Sequence, residues 1–342
     1  MKAVVYTKYG PPDVLQLEEV AKPEPKEDQV LVRVHAASVN ALDYRRFEKL
    51  STMGRLTEER FLKSIGKVLG ADVAGVVESV GVGVKQYQPG DEVFGVAAGS
   101  KGGFSDYACA AEGHLALKPS ELSFEAAAAV PVAGLTALQG LRDKGQIQPG
   151  QKVLINGASG GVGTFAVQIA KSFGAEVTAV CSSRNLDMAR SIGADHVIDY
   201  TKEDFTKNGQ RYDLIFAING YHPLSAYQRV LNSNGSYVCA GGALPQIFQS
   251  MLLGPLMSRK GGRKMGFMGI AKPNQKDLIC LGELLESGKV VPVIEKSYPL
   301  NEVPAVMRNL AEGHATGKVV LIVDHNHRIR QAPDQNQLGG DS

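Results

Sequence analysis

The stretch Lys152-Val-Leu-Ile-Asn-Gly-Ala-Ser-Gly-Gly-Val-Gly163 decides the reading of this chain. Lys152 to Asn156 is a short apolar run of strand type, and Gly163 to Phe173 has the composition of a helix. The loop between them, Gly157-Ala-Ser-Gly-Gly-Val-Gly163, keeps the spacing of a dinucleotide fingerprint, with Ala158 where the first glycine usually stands. In that pattern Gly160 lets backbone approach a pyrophosphate and Gly163 lets the helix pack on the strand. The helix N-terminus offers unpaired N–H groups to phosphate oxygens. Ser159, Gly160, Gly161 and Val162 are therefore the candidate pyrophosphate contacts. A glycine-rich loop alone is equally a tight turn; its setting in a strand, loop, helix and strand unit of about 30 residues favours the nucleotide site.

Downstream, strands and helices alternate: Glu176 to Val180 a strand, Leu186 to Ile192 a helix, and further short strands at His196 to Ile198, Leu214 to Ile218 and Tyr237 to Ala240. A six-stranded, doubly wound parallel sheet of the Rossmann type fits this order. The cofactor is selected about 20 residues beyond the loop, where an NAD site places an acid on the ribose 2′-OH. Val180-Cys-Ser-Ser-Arg-Asn185 has none. Ser182, Ser183 and Arg184 offer two hydroxyls and a guanidinium to a 2′-phosphate, so NADP(H) is expected. The competing reading leaves Arg184 as a surface residue opening the next helix.

Upstream the texture is β-rich, with strands at Lys2 to Tyr6, Gln29 to Ala37, Asp72 to Val80 and Glu92 to Val96. Turns fall at Tyr9-Gly-Pro-Pro12, Gln88-Pro-Gly-Asp91 and Gly99-Ser-Lys-Gly-Gly103. Ser123-Phe-Glu-Ala126 reads as a helix start, and the Ala-rich run beyond it is helical through Leu141, with Pro131 and Gly134 as interruptions. At the far end come helices near Gln275 to Ser287 and Val303 to Gly313, then a strand at Lys318 to Val323 as a candidate to rejoin the first domain. From Asn326 the composition is too polar to bury apolar surface, so a frayed tail is expected.

The 342 residues carry 37 basic and 35 acidic side chains, a net charge of +2 that does not suit an electrostatic nucleic-acid binder. Cys109, Cys181, Cys239 and Cys280 form no CxxC pair, and free thiols fit a reducing compartment. No run reaches the roughly 18 apolar residues of a membrane span, and Met1 to Gly10 lacks the apolar core of a signal peptide, so a cytoplasmic protein is expected. Ile247 to Met257 is apolar apart from Gln249 and Ser250 and precedes Arg259, Lys260, Arg263 and Lys264. That pattern suits peripheral membrane contact, or a buried helix or subunit contact with a solvated basic end; the second reading is preferred.

Five segments together resemble the medium-chain dehydrogenase/reductase family over nearly the whole chain. They are Val39-Asn-Ala-Leu-Asp43, Gly70-Ala-Asp-Val-Ala-Gly75, Pro131-Val-Ala-Gly-Leu-Thr-Ala-Leu138, Asn156 to Lys171, and His314-Ala-Thr-Gly-Lys-Val319. The resemblance is to its zinc-free quinone oxidoreductase branch, near the plant enone and alkenal reductases and their chloroplast-envelope and mitochondrial homologues. It implies an α/β chain with a GroES-like β-rich catalytic domain over 1–121 and a Rossmann cofactor domain over 122–269. A C-terminal segment, 270–325, then completes the catalytic domain, and 326–342 is the tail. A homodimer built through the end of the Rossmann sheet is the family expectation.

The resemblance also implies roles. Asn40 and Asp43 line the cleft, Asp43 more as a cap on loop N–H groups. Arg45 stands where related enone reductases carry a Lys, and it suits a hydrogen bond to nicotinamide or to a developing enolate oxygen rather than proton donation. Tyr44 is one residue from a family Tyr and is either the proton donor or a packed aromatic. Thr136, Tyr200, Asn219, Gly241, Gly242, Phe267, Met268, Gly269, Thr316, Gly317 and Lys318 match cofactor-contacting segments, Tyr200 at the 2′-phosphate and Asn219 at the nicotinamide ribose.

No metal is expected, because zinc needs thiolate or imidazole ligands. Asn40 replaces the Cys of zinc members and Gly70-Ala71-Asp72 their Gly-His-Glu, while His325-Asn-His327 reads as solvated. Residues 46–67 depart from most relatives and are expected to form a lid. Without a metal, hydride delivery to an electrophilic acceptor remains feasible, so the implied activity is NADPH-dependent reduction of enones or quinones. An NADPH-binding protein with little turnover is the alternative.

Overall fold

The computed structural model describes residues 1–47, 67–98, 102–258, 262–311 and 316–325, with the side chains of 45–47 and 67 outside that set. The lid expected at 46–67 and the tail expected at 326–342 therefore lie almost wholly outside the described residues. The catalytic part contains β1 (Lys2–Tyr6), β2 (Gln16–Glu19), β3 (Gln29–Ser38), β4 (Lys67–Val68), β5 (Asp72–Val80), β6 (Glu92–Val96), β7 (Tyr107–Ala111) and β8 (Leu115–Leu117). Val-rich β3 and β5 pair antiparallel, and β5 continues to β6 and β8. β1, β2 and β4 form a small separate sheet.

The Ala-rich run is two helices rather than one. Ser123 caps Phe124–Ala128 by accepting from the Ala126 N–H, and a second helix starts at Pro131 and runs to Gln139. Proline has no N–H to donate and is tolerated only at a helix start, so the break falls before it.

The cofactor part holds β9 (Lys152–Asn156), β10 (Glu176–Cys181), β11 (His196–Asp199), β12 (Tyr212–Ala217), β13 (Leu231–Cys239) and β14 (Lys264–Phe267). They order as β11-β10-β9-β12-β13-β14, every neighbouring pair parallel. Short apolar strands such as Val153 to Ile155 are wholly buried because helices cover both faces. The strand order reverses between β9 and β12, so a crevice opens beyond their carboxyl ends, where open α/β sheets bind ligands. β14, with no β-branched residue, was not legible as a strand; pairing with β13 makes it one.

Beyond the helix Gln275–Glu286, β15 (Ile294–Pro299) and β16 (Lys318–Ile322) return to the first sheet, β16 pairing antiparallel with β3 through Val320 and Ser38. β15 and β16 are thus part of the same sheet as β3 and β5. Two glutamines fasten it to the cofactor part. Gln168 accepts from Val291 N–H and donates to Val291 C=O, and Gln139 does the same to Lys272. One continuous core runs across the junction, from Ala36 and Phe94 through Leu135 and Leu138 to Val153 and Phe216.

Residues 244–257 do not form a buried helix. In Leu244–Leu252 the polar Gln246 and Ser250 are buried, while Phe248 and Leu252, and Leu256 of the following turn, are exposed. Among the described residues no helix is long and apolar enough to cross a membrane.

Candidate cofactor and acceptor site

β9 delivers the chain into the crevice, and Gly157, at φ +91°, turns it. The helix starts at Gly161, two residues before the expected point, and runs to Ser172 with Gly160 as its N-cap. No side chain caps it, so its first-turn amides face the cradle. A Cβ on Gly163 would lie 2.1 Å from Gly157 O, which is why the helix can pack so close to the strand only as glycine. A Cβ on Gly160 would meet nothing nearer than 3.8 Å and would stand in the open cradle itself. That space, lined by helix amides, fits a pyrophosphate. Ala158 takes the first fingerprint position without harm, because its methyl is fully buried in the core.

Beyond β10, Ser182 begins a one-turn 3-10 helix, Ser183–Asn185. Ser182 Oγ accepts from Asn185 Nδ2 at 3.3 Å, a role that leaves its own proton to donate to a phosphate. Ser183 differs: its hydroxyl donates to Asp199, which also accepts from Thr201 N–H and Oγ1 at 3.0 and 2.7 Å. Those hydroxyls hold the Asp199 carboxyl down at about 2. An acid does stand beside the loop after β10, at the end of the adjacent strand, since Cys181 and Asp199 are register partners. It is directed at Ser183 and Thr201. Exposed Arg184 and Tyr200 lie on the same rim. Asn185 carries no signal of its own in the sequence; its Oδ1 accepts from Thr316 Oγ1 at 3.0 Å, joining the C-terminal segment to the turn after β10.

Asn219 sits beyond β12 against Gly157, and Gly241 and Gly242 beyond β13 against Ile218 and Gly220, so these three converge on the crevice between β9 and β12. Thr136 is half-buried, its hydroxyl donating to Val132 O in its own helix. Phe267 packs at the edge of the β12 and β13 core, and Met268 is buried in the junction core; Gly269, at φ +81°, leaves open space around it.

Gly317 brings the catalytic sheet to the cradle, its N–H donating to Ser159 O at 2.8 Å and its backbone bridging Gly160. The next residue, Lys318, turns inward. Its stem crosses the start of the helix, where a Cβ on Gly161 would meet Lys318 Cδ at 2.8 Å. Its ammonium ends on Asn40 Oδ1 at 2.7 Å, Val39 O at 3.1 Å and Asp72 Oδ2 at 3.4 Å. Both charged groups are buried, and burial pushes the Lys318 pKa down against the opposing pull of Asp72.

Asp72 also accepts from Ser38 Oγ at 2.6 Å, Asn40 Nδ2 at 2.9 Å and the Val132 N–H at 2.9 Å. Asn40 N–H donates to Asp43 Oδ2 at 2.9 Å, opening the helix Ala41–Phe47. That helix carries Tyr44, half-buried against the β-domain core, and Arg45, whose side chain is outside the described residues.

The described residues at the family's metal position do not fit zinc. Among the described residues no three His, Cys, Asp or Glu side chains converge, and the acid at the family's metal position, Asp72, is engaged by an ammonium. His325 is not solvated: its ring bonds Val34 O at 2.7 Å.

Residues 26–120 match the alcohol dehydrogenase GroES-like domain, and residues 192–321 match the zinc-binding dehydrogenase model. The chain is 38% identical to the 2-methylene-furan-3-one reductase of Solanum lycopersicum, the match covering 94% of this chain and 79% of that protein. It is 36% identical to the chloroplastic NADPH-dependent alkenal/one oxidoreductase of Arabidopsis thaliana, with the same coverage, 94% and 79%. Among solved structures it resembles the quinone oxidoreductase from Coxiella burnetii, with a TM-score of 0.83, 29% identity and coverage of 95% and 99%.

Proposed function

The chain belongs to the medium-chain dehydrogenase/reductase family, and on that footing we propose that it is an NADPH-dependent oxidoreductase reducing the carbon–carbon double bond of enones or reducing quinones, without zinc. The observation that carries the reading is the meeting of an open Gly160 cradle with the corner formed by Asn40, Asp72 and Lys318. NADPH, when bound, supplies hydride from its nicotinamide ring.

The chain's own groups then have separable tasks. Helix amides from Gly161 onward hold the pyrophosphate, Ser182 and Arg184 the 2′-phosphate, and Asn219, Gly241 and Gly242 the nicotinamide end. Arg45 donates hydrogen bonds to the acceptor oxygen as negative charge builds there. The proton that completes the reduction comes from the Tyr44 phenol or from solvent.

NADPH oxidation by the purified protein, with a panel of enones, enals, ortho-quinones and para-quinones beside NADH and a chelator, tests this. Chelator-resistant turnover is expected. Turnover abolished by chelator would end the zinc-free reading, and tight NADPH binding without turnover would leave a binding protein. We further propose a homodimer and a cytoplasmic location. Supporting the dimer are exposed Phe248, Leu252 and Leu256 near the edge strand β14. Supporting the location are four free cysteines.

A further inference from the structure

We propose that Lys318 is the internal cation of the acceptor corner: a positioning residue that ties the cofactor loop to Asn40 and, through the Asn40–Asp43 turn, to the helix bearing Tyr44 and Arg45. The inference goes beyond the assignment of Lys318 to the cofactor and rests on the oxidoreductase reading.

An ammonium has three N–H donors and no acceptor. Lys318 spends them on Val39 O, Asn40 Oδ1 and Asp72 Oδ2, inside the protein. No donor remains for a phosphate, so the residue next to the cradle acts inward. Asn40 is held at both ends of its amide, Oδ1 on the cation and Nδ2 on the Asp72 carboxylate, which leaves one orientation. Asp72 in turn accepts from Ser38 on β3 and from Val132 in the first turn of the Thr136 helix. Four chain segments therefore meet on one buried ion pair.

Such a pair is a poor stability device, because desolvation cancels most of the attraction and apolar replacements often match it. Its geometry supplies something an apolar cluster would not: a directional link. The Lys318 stem crosses Gly161, so atoms at the mouth of the cradle are coupled through one side chain to the Asn40 corner. In the zinc members of the family the chain resembles, the positions of Asn40 and Asp72 belong to the metal site. Here both converge on a lysine.

The test compares full-length Lys318→Met, Asp72→Asn and the double variant with wild type. Its readouts are thermal midpoint, NADPH Kd by fluorescence titration, kcat and KM for one enone and one quinone, and hydrogen–deuterium exchange of residues 38–44 with and without NADPH. Lys318→Met alone strands the Asp72 charge and lowers the midpoint; the double variant restores it.

The restored double variant is expected to bind NADPH as wild type does, yet to lose about tenfold to a hundredfold in kcat/KM for the acceptor. It is also expected to lose the protection that NADPH confers on 38–44 in wild type. Wild-type kcat/KM together with retained protection in the double variant would overturn the proposal. So would a large rise in NADPH Kd at unchanged kcat, which would make Lys318 a cofactor ligand. Absence of turnover in wild type would instead count against the oxidoreductase reading, and the exchange data would still decide the role of Lys318.

Discussion

Replacing Gly160 by Ala should leave the fold intact and damage the cofactor site. The backbone there has φ −79° and ψ 173°, extended values that any residue adopts, and the added methyl would find its nearest neighbour, Gly157 O, at 3.8 Å. Stability should be unchanged or raised by about 0.4–1 kcal/mol through the stiffer unfolded chain. The same methyl occupies the cradle and holds a pyrophosphate away from the helix amides. Each charge-assisted hydrogen bond to phosphate is worth about 1.5–3 kcal/mol, so losing one or two gives roughly a hundredfold rise in NADPH Kd.

Differential scanning fluorimetry and NADPH titration measure the two effects separately. Gly163→Ala is the contrast: its Cβ would meet Gly157 O at 2.1 Å and Ala158 Cα at 2.7 Å, both backbone. It should lower the midpoint of the unliganded protein, by the upper part of the about 1–3 kcal/mol that overpacking costs. A Gly160→Ala protein that binds NADPH within twofold of wild type would refute the placement of the pyrophosphate over this loop.

Further outcomes are expected. Arg184→Ala should weaken NADPH about tenfold to a hundredfold and leave NADH unchanged; equal effects on both would remove Arg184 from the 2′-phosphate. Lys318→Ala should destabilise by about 3–5 kcal/mol in a urea titration, since it leaves the Asp72 carboxylate buried without its cation, and a loss below about 1 kcal/mol would contradict the burial of the pair. Asp199 is held at about 2, below the usual value of about 3.9, so its contribution is present above about pH 4 and lost as pH falls through about 2. Asp199→Asn should flatten the urea midpoint against pH in that window, and an unaltered slope would count against the hydroxyl contacts. Leu252→Glu should yield a monomer by light scattering where wild type is a dimer, and a monomeric wild type would dismiss the dimer outright.

Legibility in the sequence followed distance along the chain. The strand, loop and helix around Gly160 were readable because their cause is local: glycine spacing, alternation of apolar residues and the absence of a Cβ act within a dozen residues. The lack of an acid between Val180 and Asn185 was readable for the same reason. Asp199 was not, because it becomes a neighbour of Ser183 only through the parallel register of β10 and β11. The four-residue β14 carried no pattern of its own and owes its strand to β13.

The sequence by itself determined that this is a two-part α/β chain with a nucleotide loop suited to NADP(H), because steric and periodic constraints on the backbone are written residue by residue. The tertiary structure alone decided what the residues flanking the loop do. Lys318 is 246 residues from Asp72 and 278 from Asn40, separations that no period encodes. The pairing of β16 with β15 and β3 carries that lysine into the interior, and once it is out of water its charge must be met by oxygen atoms inside the protein.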